Sequence, residues 1–170
     1  MLTAVLCFSV MDCQVLNGAL TIINSTLFSF NDTFSGTVLS ASNKFSIQNS
    51  LAQATPSNNA TKLFRDAKPT LEKVLSLIVC RKDDQLRFYT DSSSVGLPTP
   101  ISPFSYMSKH KSGCLNVQRV DSIKKKTANA FSFRALFVSP QSEESKFGSY
   151  TAIKQQNGKW LFNWSAIDAL

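Results

Sequence analysis

The chain's single histidine, His110, stands in "MSKHKSG" between Lys109 and Lys111. An imidazole is the side chain readiest to move protons near neutral pH. Here two cations and a polar segment flank it, which reads as a solvated loop rather than a general base. The carboxylates include two adjacent pairs, Asp83-Asp84 and Glu143-Glu144. Neighbours on a helix or turn point in different directions, so neither pair makes a joined acid–base couple. Both read as solvent-facing. Tyr89 and Asp91 in "RFYTD", with Asp121, are the groups that could donate and accept protons if a cavity gathered them.

Other chemistries have less to stand on. One histidine and no Cys-x-x-Cys pair leave no zinc-type ligand set. No G-x-S-x-G elbow, H-E-x-x-H or Walker pattern occurs, and six glycines supply few backbone cradles for phosphate. No metal and no cofactor is expected, and a non-enzymatic role is favoured. Of four cysteines, Cys7 and Cys13 lie near the start, while Cys80 and Cys114 lie where the chain reads as folded. Linking Cys80 to Cys114 would close a loop of about 35 residues and contribute roughly 3–4 kcal/mol in an oxidising compartment. Two buried thiols are the alternative.

The elements that must position these groups begin at Asn58. "NNATKLFRDAKPTLEKVLSLIVC" places Leu63, Phe64, Ala67, Leu71, Val74, Leu75 and Ile78 on one helical face. Pro69 interrupts it, so the expectation is a short helix followed by a main one over 69–79. "RKDDQLRFYTDSSS" continues as a short helix, and the three prolines of "VGLPTPISPF" make an extended connection. Four strands follow. "GCLNVQRVDSI" alternates, "KKKTAN" reads as a turn, and "AFSFRALFV" sets Phe131, Phe133, Ala135 and Phe137 against Ser132, Arg134 and Leu136. "SPQSEESK" is a polar turn. "FGSYTAIKQQ" and "KWLFNWSAI" meet across Asn157-Gly158, the pairing that suits a two-residue type I′ hairpin.

The fold class is therefore α+β: N-terminal helices packed on a curved antiparallel sheet of about four strands, in a single domain over 58–170. Residues 1–57 change character every few positions and read as a weakly structured extension or leader. They hold strand-like alternation at Leu27, Ser29 and Asn31 and a small-residue site at Ala52-Gln53-Ala54, but no basic residue precedes the first apolar stretch. These fragments lean towards export without establishing it. Asn-x-Ser/Thr triplets fall at Asn24, Asn31, Asn59 and Asn163.

Hydrophobic content of 43% and charged content of 17% suit a globular chain, and no apolar run approaches the span of a bilayer. The net charge is +7, and residues 1–54 hold only Asp12, Asp32 and Lys44, so the excess lies downstream. The downstream cations are scattered rather than gathered in a stripe, which disfavours nucleic acid and leaves loose attraction to acidic partners.

The ending "Y-x-x-x-K-x-x-x-G-x-W-L-F", carried by Tyr150, Lys154, Gly158, Lys159, Trp160 and Leu161 and preceded by "FSFRALFV", resembles the nuclear transport factor 2-like superfamily over about residues 60–166. The resemblance implies a cone with a cavity between helix and sheet, in a superfamily that holds small enzymes, adaptors and exported proteins. The cavity wall would then be Phe131, Phe133, Tyr150, Trp160 and Phe162, with Trp164 sharing the parity of Trp160. A basic rim of Arg119, Lys124, Lys125, Lys126 and Arg134 would steer an acidic partner. The occupant would be a protein or a small apolar ligand, and the sheet face offers a route to a homodimer. A small cavity isomerase or hydrolase using Tyr89, Asp91 or Asp121 is the alternative, and nucleic-acid binding the second alternative.

Overall fold

The structure is a computed structural model and describes residues 39–91 and 103–164. Expectations for Cys7, Cys13, Asn24, Asn31, the 27–31 alternation, the prolines of 92–102 and the side chain of Trp164 lie outside the described residues. Helix α1 spans Ala41–Gln53, α2 Thr61–Val79 and α3 Asp83–Leu86. Strands β1 (Asn116–Thr127), β2 (Ala130–Val138), β3 (Ser145–Lys154) and β4 (Trp160–Trp164) form one antiparallel sheet in the order β1-β2-β3-β4. The class is α+β, with the helices preceding the sheet. No described helix is long and apolar enough to cross a membrane.

Helix α2 buries Phe64, Ala67, Leu71, Val74, Leu75 and Ile78, the face that its spacing picks out. Those side chains join Phe131, Phe133 and Phe137 of β2 in one core, and Phe64 meets Phe131 edge-on with centroids 6.0 Å apart. The expectation of a break at Pro69 is corrected: α2 runs through it without interruption. Pro69 and Arg65, four residues earlier, are both exposed, so the carbonyl that loses its partner can turn to water. The helix ends with Arg81 at φ 55, its N–H donating to Ile78 O and that of Lys82 to Leu77 O. This is the Schellman geometry, held here by arginine rather than glycine.

Helix α1 is the main difference from the sequence reading, which began the packed domain at Asn58. Ser40 caps it through a reciprocal box with Asn43, and Ile47 and Leu51 are buried in the same core as α2. Its amphipathic signal is weak because two of its four buried positions are polar, Asn43 and Ser50. Asn43 Nδ2 donates to Leu115 O at 3.0 Å and Asn116 Oδ1 at 2.8 Å. Val117 N–H donates to Ser46 Oγ at 3.2 Å. These side chains stand where a further strand would pair with the edge of β1. Replacing Asn43 with alanine is expected to cost about 1–3 kcal/mol in urea unfolding, because buried carbonyls lose their donor.

Strand β1 also departs from simple alternation. Its pairing with β2 shifts between Val117 and Arg119, between Asp121 and Lys124, and between Lys125 and Thr127. Ser122 takes φ 54 inside the second shift. Each extra residue re-phases the strand, so Val117, Val120 and Ile123 face the core at intervals of three. The "KKKTAN" turn is corrected as well: Lys124, Lys125 and Lys126 belong to β1. At the last hairpin the pairing is as expected, but the turn is longer. Lys154 pairs with Trp160, Gly158 N–H donates to Gln155 O, and only Gly158 has positive φ, at 82°. Asn157 stays out of the left-handed region, so the loop is an ordinary turn closed by one left-handed glycine rather than type I′.

Gly148 in β3 faces inward beside Tyr150, and a Cβ at that position would collide with the hydroxyl and ring end of Tyr150. The tyrosine is nearly fully buried and cannot swing away. Gly148→Ala is expected to lose roughly 1–3 kcal/mol through overpacking, seen as a lowered melting temperature.

Candidate functional site

The five aromatics expected to line a cavity are in the core. Phe131 and Phe162 are 0% exposed, Phe133 2%, Trp160 4% and Tyr150 5%. They fill the layer against one another. Phe133 lies 5.2 Å from Tyr150 and 6.4 Å from Phe162, and Phe131 lies 5.7 Å from Trp160. Burial pushes the Tyr150 phenol well above its ordinary pKa, so it stays protonated. Neither of the two surface grooves described below is lined by any of the five.

The acid–base candidates are dispersed. Asp121 belongs to β1, whereas Asp91 N–H donates to Phe162 O of β4 and Thr90 bridges the same residue. The two strands are opposite edges of the sheet, so three strand spacings of about 4.8 Å separate them. Tyr89 packs against the core. Asp83, Asp84 and Glu143 are exposed, as their spacing implies.

His110 is corrected from solvated loop to buried clasp, at 5% exposure. Its Nδ1 lies 2.9 Å from Ser139 Oγ, and its ring packs 5.2 Å from Phe104. Ser139 Oγ already accepts the N–H groups of Gln141 and Ser142, so its own proton goes to the imidazole. The histidine therefore fastens the loop before β1 to the β2–β3 turn. Glu144 fastens the same two segments by accepting the Lys109 N–H at 2.9 Å, and the Ser142 hydroxyl of its own turn holds it in place at 2.9 Å.

The cations expected as a rim divide into two groups. On the outward face of the sheet, Asp121 Oδ2 binds Arg119 Nε at 2.7 Å and Oδ1 binds Arg134 Nε at 3.0 Å. Both guanidinium carbons lie near the Phe147 ring, 5.5 Å away for Arg119 and 4.7 Å for Arg134. Lys124 stands in the next outward row, opposite Ser132. A groove of about 230 Å³ adjoins this cluster, lined by Ser50, Gln53, Thr55, Arg119, Val120 and Asp121. Lys125 instead joins Lys62 and Lys154 in a groove of about 350 Å³ beside the first turn of α2. There Lys154 pairs with Asp66 at 3.2 Å. Lys126 is exposed.

Phe147, Lys62 and Lys154 were not singled out as contacts by the sequence reading. Phe147 was within reach of it: the parity of β3 that sends Tyr150 inward sends Phe147 outward, beside Leu136. The other two are brought to Lys125 by tertiary packing alone.

Partial burial raises the Asp121 carboxyl, but hydrogen bonds from Ser122 and Arg134, the Arg134 charge and Arg119 outweigh it and hold the pKa below the usual range. Glu144 is likewise held low: a small desolvation is outweighed by the Ser142 hydroxyl, the Lys109 N–H, the Ser108 hydroxyl and the His110 N–H. Folded values below unfolded ones mean stability that is whole above about pH 5 and lost as pH falls through about 4 and lower. Urea midpoints measured from pH 6 to 3 are expected to fall over that window, less steeply in Asp121→Asn and Glu144→Gln.

No protein family, curated protein or solved structure matches this chain.

Proposed function

We propose that this chain is a non-enzymatic binding module of the nuclear transport factor 2-like kind, and that it receives an acidic protein segment on the outward face of its sheet. One observation carries the reading. The inward aromatics are spent on the core, while the outward positions keep part of their surface in water and combine cations with apolar side chains. Arg119, Lys124 and Arg134 lie on that face beside half-buried Leu136 and Phe147, with Ile153 and Leu161 in a further row. Charge steers an acidic partner to such a face and the apolar side chains hold it. The dispersal of Tyr89, Asp91 and Asp121 supports the non-enzymatic half of the reading.

The test is an amide NMR titration with a capped hexaglutamate peptide, using hexaglutamine as control. The expected result is glutamate-selective shifts centred on Arg119, Lys124, Ser132, Arg134 and Phe147, weakening as salt rises. Equal response to both peptides, or shifts confined to α1 and α2, would overturn the reading. Tighter binding of a DNA oligonucleotide than of the acidic peptide would replace it with nucleic-acid recognition.

A further inference from the structure

Arg119, Asp121, Arg134 and Phe147 stand together at the centre of that face, and their geometry is more specific than a basic patch. Asp121 uses one oxygen on each arginine and meets both through Nε. Each guanidinium also lies near the ring of Phe147. Two contacts per side chain restrain the forks before any partner arrives, which lowers the ordering cost of binding. Among the described residues neither guanidinium has a second carboxylate partner. The terminal Nη groups are therefore the donors left to offer, and the side chains keep 57% and 40% of their surface exposed.

The charge count selects the ligand. Two cations and one carboxylate leave a single positive charge. One further carboxylate brings the cluster to neutrality, whereas a doubly charged phosphate would overshoot it. We infer that Arg119 and Arg134 form a two-pronged clamp for one carboxylate side chain, glutamate or aspartate, of an acidic peptide. The peptide backbone would continue into the adjoining groove of about 230 Å³, past Gln53 and Thr55. Asp121 acts as the positioning residue: it aims the two forks without touching the ligand. This inference rests on the open-face reading and narrows it to one contact.

Lysine at either position keeps the charge and removes the planar fork, so it separates a clamp from a diffuse basic surface. In calorimetric or fluorescence titration with capped hexaglutamate, Arg119→Lys and Arg134→Lys are each expected to weaken binding about tenfold, the loss of one charge-assisted pair of hydrogen bonds. Lys126→Gln, outside the clamp, is expected to change it by about twofold or less. A second measurement uses the unmodified protein: with sodium acetate, side-chain N–H resonances of Arg119 and Arg134 should shift while those of Arg65 and Arg87 stay still. Hexaglutamate affinity unchanged in both lysine variants, or acetate shifts spread evenly over all four arginines, overturns the clamp and leaves the open-face reading standing. Failure of hexaglutamate to bind the unmodified protein overturns both.

Discussion

Replacing Phe131 with alanine is expected to lower the unfolding free energy by about 3–5 kcal/mol, the range for a buried phenylalanine whose cavity cannot collapse. Phe131 is fully buried and is where three elements meet. Its ring contacts Phe64 of α2 at 6.0 Å, Phe133 in its own strand at 6.0 Å and Trp160 of β4 at 5.7 Å. Each partner is itself hemmed in, so truncation leaves a void rather than a repacked site. A domain of this size has only about 5–15 kcal/mol to lose. Urea denaturation compares this variant with Ser132→Ala, one residue along and facing outward, which should stay within about 0.5 kcal/mol. A cost below about 1 kcal/mol for Phe131→Ala would mean that helix and sheet are not joined at this ring.

Reduction of the disulfide is expected to come next in size. Cys80 at the end of α2 and Cys114 just before β1 are joined by a bond with Cα atoms 4.5 Å apart and 34 positions between them in sequence. Closing a loop of that length removes chain entropy from the unfolded state worth about 4 kcal/mol. The bond spans the chain between the helical half and the sheet, including 92–102. Leu115 N–H donates to Val79 O at 3.0 Å beside it, so the junction keeps this backbone hydrogen bond once the sulfurs part. Urea midpoints with and without reductant, and a Cys80→Ala/Cys114→Ala pair, measure the effect. A double variant as stable as the oxidised protein would show that the unfolded chain gains nothing from release.

Much of this architecture was legible in the residues, and the failures have physical causes. The α2 face and the β2 alternation read directly because one side of each is apolar at every turn or every second residue. Helix α1 was missed because Asn43 and Ser50 occupy buried positions as hydrogen-bonding groups, so burial there does not look like hydrophobicity. The phase of β1 was missed because a bulge is a feature of pairing, invisible until the partner strand is present. His110 read as solvated because its lysine neighbours are, while its own partner, Ser139, lies 29 residues away. The five aromatics share one buried layer, but composition does not distinguish the lining of a cavity from the filling of a core. The clamp was half visible: Arg134, Arg119 and Asp121 were each noted, yet only strand register brings Asp121 opposite Arg134.

The polar side chains of α1 along β1 have one more consequence. By occupying the donors and acceptors at Leu115, Asn116 and Val117, and with Ser57 N–H donating to Ile123 O, they act as a stopper on the sheet. A proteolytic cut in the 54–60 connection that frees this stopper would uncork a twelve-residue ribbon. Clipped molecules would then find in one another the partner each had lost, and pair edge to edge, β1 against β1.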